Sequence, residues 1–159
     1  MRLKRRIKME TETNKQKEQA EFFFNRLLDP LNGVCIKHRM YLTRFEQEAP
    51  CWTLRGKHPN GGDAGIYIYY KSVEVSEIGI HWRYPSYKSQ KIYSKSKDIF
   101  SGKIDEKNIE ALLEKTVKEL LEMKEGNWEK EIEYPEWSEK FKNKNEWIKA
   151  YGFDLPPIE

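Results

Sequence analysis

Apolar residues recur at intervals of three and four through Ala20, Phe23, Phe24, Leu27, Leu28 and Leu31; from Val34 onward they alternate. This change of period constrains the fold more than any other feature. An interval of 3.6 is the repeat of one helix face, and two is the repeat of one strand face. The spacing predicts a helix over 14–28, stopped by Pro30, Asn32 and Gly33. It then predicts a strand with Val34, Ile36, Met40 and Leu42 on one face and Lys37, Arg39, Tyr41 and Thr43 on the other. A short strand over 51–55 turns Trp52 and Leu54 inward, and H-P-N-G-G-D-A-G at 58–65 reads as a turn in which Asn60-Gly61 takes the positive φ angles. Strands follow over 66–71 and 77–84, the latter stopped by Pro85. V-E-V at 73–75 is out of phase with I-G-I-H-W, so a second turn or a bulge is expected near Ser76. Residues 90–95 form a short, lysine-rich edge strand in this reading.

Helical spacing returns at 105–124 with Ile109, Leu112, Leu113, Thr116, Val117, Leu120 and Leu121; Asp105 is placed to cap the start and Gly126 to close the end. Residues 135–151 read as one or two short helices presenting Trp137, Phe141, Trp147, Ile148 and Tyr151, and 153–157 as an extended tail. Strands joined by short turns pair antiparallel. The expected class is therefore α+β: an antiparallel sheet of four to five strands with helices on one face, in the order α-ββββ(β)-α-α. With 159 residues and no internal repeat or linker, the chain is expected to be one domain. Within it, 1–13 is a basic N-terminal arm, 14–126 the core, and 127–159 a C-terminal extension and tail.

Charge is unevenly spread. Residues 1–60 carry 13 Lys/Arg against 7 Asp/Glu, while residues 101–159 carry 10 against 15. Such a dipole suits an anionic partner at the basic end, or mutual neutralisation within the fold. Part of the basic excess lies before Met9, a second candidate first residue; without Arg2, Lys4, Arg5, Arg6 and Lys8 the net charge moves from +3 to −2. The basic start has no apolar stretch after it, and no run reaches membrane-spanning length, so an intracellular, cytoplasmic chain is expected. Lysines outnumber arginines 21 to 8, a bias that fits an AT-rich genome such as that of a bacterium or its phage.

Catalytic signatures are weak. Cys35, His38, Cys51 and His58 offer zinc-ligand types, but an offset of three places Cys35 and His38 on opposite faces of a strand. Asp63, Glu74 and Glu77 with Lys71 flank strands as in metal-dependent nucleases, yet no convergent triplet occurs, and turn chemistry explains them equally well. The glycines at 61, 62 and 65 precede a strand, whereas a phosphate cradle precedes a helix. No cofactor and no metal site is expected.

The surface carries the functional expectation. Tyr67, Tyr69, His81 and Arg83 fall on the side opposite the aliphatic residues; Tyr87, Lys88, Lys91 and Lys95 continue the cationic run, and Arg39 and Tyr41 join from the first strand. Aromatic rings among cations on an open sheet face suit an anionic partner. The first reading is a small non-enzymatic binding or regulatory protein contacting a protein or protein–nucleic-acid assembly. The alternatives are a single-stranded nucleic-acid binder and a small metal-dependent nuclease-like or hydrolytic enzyme.

Overall fold

The computed structural model describes residues 2–45, 50–86, 89, 91–133, 146, 149 and 154–159. Its first element, α1 (Arg2–Lys37), contains Pro30 and continues beyond it. A proline inside a helix removes one hydrogen bond. Here the apolar stripe of Ala20, Phe24, Leu27 and Leu31 continues into buried Val34 and Cys35, and that burial holds the helix together across the defect. Residues 34–37 are therefore helix rather than strand, and Ile36 points to solvent. Residues 2–13, expected as a separate arm, are the first turns of the same helix. The stop is at Arg39, which takes the left-handed conformation (φ 53°) while the Met40 N–H donates back to the Cys35 carbonyl at 2.8 Å. A left-handed residue followed by that six-residue hydrogen bond is the Schellman termination, with arginine standing where glycine is usual.

Five strands follow in meander order: β1 (Tyr41–Phe45), β2 (Cys51–Lys57), β3 (Asp63–Tyr70), β4 (Ser76–Ser86) and β5 (Lys91–Gly102). Helix α2 (Ile109–Leu121) and a short β6 (Lys130–Glu133) complete the described elements. The sheet order is β1-β2-β3-β4-β5-β6, antiparallel throughout, so the fold is α+β with one strand more than expected. Pro85 lies inside β4, opposite Ile92, and does not end it. The lysine-rich strand is not an edge over residues 91–94, where β6 pairs with it. Between β2 and β3 the positive φ angles fall on Gly61 and Gly62, not on Asn60. A β-carbon at Gly62 would meet the Arg83 carbonyl at 2.0 Å, so glycine is required there for close approach as well as for φ. The expected second turn occupies 71–75, where the Val75 carbonyl accepts from the Lys71 and Ser72 N–H groups.

Both helices pack on one face of the sheet. Phe24, Leu27 and Leu31 of α1 and Ile109, Leu113, Val117 and Leu120 of α2 meet Leu54, Ile66, Ile68, Ile78, Ile80 and Trp82 in one core. Helix α2 begins at Ile109, four residues later than Asp105. The Asp105 carboxylate instead accepts from the Lys107 and Asn108 N–H groups and shapes the turn before the helix. The expected C-terminal helices, with Trp137, Phe141, Trp147, Ile148 and Tyr151, fall outside the described residues.

The last residues return to the sheet. The Lys57 N–H donates to the Pro156 carbonyl at 2.7 Å and the Ile158 N–H to the Lys57 carbonyl at 2.9 Å. Ile158 is buried over Gly56, where an added β-carbon would lie 2.6 Å from its Cγ1. Gly56→Val is therefore expected to expel the tail and lose the burial of one isoleucine, about 2 kcal/mol. Amide exchange at Ile158 should accelerate and the thermal midpoint fall; unchanged exchange would show that the space at Gly56 does not seat the tail.

Candidate binding face of the sheet

The face opposite the helices is built by strand register. Tyr41, Arg55, Gly65, His81 and Ser96 lie in one row across the sheet, and Lys57, Asp63, Arg83 and Ser94 in another. Tyr67 and Tyr69 follow Gly65 on the same face of β3, in the next two rows, and stack with ring centroids 6.1 Å apart; Tyr67 also meets His81 edge-on at 6.0 Å. The expected quartet of Tyr67, Tyr69, His81 and Arg83 thus shares one face, and Tyr41 joins it.

At its centre is Asp63, which the sequence offers as a turn residue or as a nuclease-like carboxylate and not as a partner of arginines. The Asp63 carboxylate is 5% exposed and accepts from Arg83 Nε at 2.8 Å and Arg83 Nη2 at 2.7 Å, and from Arg55 Nη2 at 2.7 Å. One buried carboxylate therefore fixes two guanidinium groups in the plane of the face. A bidentate arginine–carboxylate pair sets orientation as well as charge. The face is not simply open: Cys51, Thr53, Asp63 and Ser94 are buried on it, and the Thr43 and Thr53 hydroxyls are hydrogen-bonded to each other.

The lysines do not belong to this surface. Ile78 pairs with Phe100 and Gly79 with Asp98, so Ile99 is an extra residue in β5. A bulge of one residue moves every following side chain to the other face. Lys91, Tyr93, Lys95 and Lys97 consequently lie opposite Ser86, Tyr84, Trp82 and Ile80, on the helix side. The Lys95 ammonium sits 5.5 Å from the Trp82 ring centre and 4.9 Å from that of Trp128, and donates to the carbonyls of Lys124 and Gly126. It ties down the loop that follows α2 from within an aromatic cluster. Lys91 pairs with Glu131 and Lys97 with Glu119 at 3.4 Å. Arg39, the helix terminator, pairs with Glu159 at 3.0 Å. Tyr87 and Lys88 fall outside the described residues.

The remaining titratable groups have structural surroundings. His58 is buried against Trp82 with ring centroids 4.0 Å apart; its Nδ1 accepts from the Asn60 N–H, so its Nε2–H donates to the Leu120 carbonyl at 2.9 Å. Burial pushes its pKa below the usual 6.5, and burial, then Arg83, does the same for His81. His81 thus adds an uncharged ring, not a cation, to the face at neutral pH. Both histidines bind protons more readily unfolded, so stability is full above pH about 6.5 and falls as the pH drops through that value. The thermal midpoint should decline from pH 7 to pH 5, and His58→Gln should flatten that decline; an unaltered slope would remove His58 as its source. Burial pushes the Cys35 and Cys51 thiols up to about 11, so both are protonated at neutral pH. Cys35 is in α1, Cys51 in β2, and His38 against Glu114 at 3.1 Å. Lys71, considered above beside carboxylates, pairs with Glu77 at 2.8 Å.

Comparison with protein-family models, curated proteins and solved structures finds no match for this chain.

Proposed function

We propose that this chain is a non-enzymatic binding protein of the cytoplasm that engages an acidic protein surface through the face carrying Tyr41, Tyr67, Tyr69, Arg55 and Arg83. The observation that carries this reading is the Arg55–Asp63–Arg83 cluster. Two arginines held by a buried carboxylate lose little freedom on meeting a partner's carboxylates. The tyrosines beside them offer rigid contact area with polar tips, the composition that dominates binding hot spots. A protein is favoured over single-stranded nucleic acid because the lysines needed for a continuous phosphate track lie on the helix side, among carboxylates and carbonyls. Two free, buried cysteines suit a reducing compartment.

The test uses residues whose loss leaves the fold intact. Tyr41 and Tyr69 are 50% and 38% exposed, so Tyr41→Ala with Tyr69→Ala should change stability by less than about 1 kcal/mol. A photo-crosslinking residue at position 69 should capture an acidic protein from the source cell, and nuclease treatment should not release it. The double alanine variant should bind that protein at least about tenfold more weakly. Capture abolished by nuclease, or a double variant of undiminished affinity, would reject the reading.

A further inference from the structure

The seat that holds residues 156–159 has the parts of a peptide-recognition site. Gly56 lies inside β2 without a positive φ, so its missing side chain answers to space alone. An added β-carbon there would lie 2.6 Å from Ile158 Cγ1 and 3.1 Å from the Pro156 carbonyl oxygen. Glycine inside a strand weakens it and marks the close approach of another backbone. Around this slot Lys57 exchanges backbone bonds with Pro156 and Ile158, and the His38 carbonyl accepts from the Glu159 N–H at 3.3 Å. His38 Nδ1–H donates to the main-chain oxygen of Glu159 at 2.9 Å, and Arg39 pairs with the Glu159 carboxylate at 3.0 Å. Backbone bonds at a sheet edge, with a slot for one side chain, are how an added strand is recognised. The slot over Gly56 selects an isoleucine-sized side chain, and Arg39 selects an acidic residue directly after it.

The resident tail is held in the manner of a ligand. Ile158 is the one buried side chain of residues 154–159, while Asp154, Pro156, Pro157 and Glu159 are exposed. Among the described residues the tail meets β2 at a single parallel bridge, Lys57 with Pro157, and forms no ladder. A segment with one buried anchor opens locally far more often than a strand inside a ladder, and a released fraction on the order of 1% follows. Every group that holds the tail comes from residues 38–39 and 56–57, so the seat is complete without it. Exchange of tails between two copies gains no contact that one chain lacks, so the occupant in trans is a segment of another protein. The seat is also distinct from the sheet face carrying Arg55 and Arg83, because Ile158 joins the core on the helix side.

We propose that this seat binds an extended segment of a partner protein in which an isoleucine-sized aliphatic residue precedes an acidic one, and that residues 156–159 are its resident competitor. The experiment uses the full chain carrying Ile158→Asp, which releases the tail, and a peptide capped at both ends with the sequence D-L-P-P-I-E of residues 154–159. Backbone amide shifts followed by NMR should saturate at residues 38–40 and 56–58, with a Kd on the order of 0.1–1 mM. The parent chain should bind the same peptide at least about tenfold more weakly, because its own tail occupies the seat. Gly56→Val added to Ile158→Asp should abolish binding, as should aspartate in place of isoleucine in the peptide. Four results would overturn the proposal. They are an Ile158→Asp chain that does not fold, no saturation up to about 10 mM peptide, equal affinity for the parent chain, and a concentration-dependent dimer of the parent that Ile158→Asp dissolves. The last would give the seat to a second copy.

Discussion

Asp63→Ala is expected to destabilise the protein by about 3 kcal/mol. The side chain accepts three charge-assisted hydrogen bonds and is 5% exposed, so its removal leaves two guanidinium groups facing each other across an empty site. Breaking a buried pair costs about 3–5 kcal/mol. The lower end applies because Arg55 and Arg83 are 26% and 32% exposed and recover part of their hydration. The measurement is the urea midpoint, with the slope unchanged if the unfolded state is unaffected. The companion variant Arg55→Met/Asp63→Leu/Arg83→Met removes all three charges together, and replacement of such a set by apolar residues is often neutral or stabilising. It should recover to within about 1 kcal/mol of the parent while losing the acidic partner. That pair of outcomes separates the recognition role proposed for the cluster from its role in folding. A loss below about 1 kcal/mol for Asp63→Ala would mean that the arginines are already satisfied by water. The same geometry warns against Arg83→Glu as a probe of binding, since it places a second carboxylate against Asp63.

Trp82→Ala should be the most damaging single substitution. Trp82 is fully buried, stacks on His58, meets Tyr84 and Trp128 edge-on at 6.0 and 5.0 Å, and donates its indole N–H to the Gly61 carbonyl at 2.7 Å. Truncating a buried aromatic to alanine costs about 3–5 kcal/mol. The loss also strands the Gly61 carbonyl and strips one ring from Lys95, so the upper end is expected. For a domain of this size that corresponds to a fall in thermal midpoint of roughly 10–20 °C. Trp82→Phe keeps most of the ring packing and loses the indole donor, and should cost about 1–2 kcal/mol. Thermal unfolding followed by circular dichroism distinguishes the two; equal losses would place the energy in the hydrogen bond rather than in the packing.

How much of this was legible depends on which physical signal each residue carried. Helix α2 was readable because Ile109, Leu113, Val117 and Leu120 satisfy one period only. Residues 31–36 satisfy two: Leu31, Val34 and Cys35 fit a helix, while Val34 and Ile36 alternate like a strand. Only packing, which buries Val34 and Cys35 and leaves Ile36 outside, decides between them. The inward and outward faces of β4 followed from simple alternation and are as expected at Ile80, His81, Trp82 and Arg83. The placement of the lysines was not readable, because a single extra residue at Ile99 reverses the faces of 91–97 and no residue type marks that bulge. Asp63 was hidden by its neighbours: after Asn60, Gly61 and Gly62 an aspartate reads as turn chemistry. Its partnership with Arg83 emerges only when the turn at 71–75 fixes the register that sets the two opposite each other.

The return of residues 156–158 to Lys57 bears on how this sheet avoids joining another. Strand β1 is two residues too short to cover β2, so Gly56 and Lys57 would otherwise offer bare backbone to any extended chain. Pro156 and Pro157 cannot donate on their own account, and Glu159 turns back to His38 and Arg39. The last residues thus act as a plug that accepts the Lys57 bond without extending a pairing template of their own. Protection of the sheet at Gly56 and Lys57 thus rests on residues 156–158, which sit beside the row of Lys57, Asp63 and Arg83.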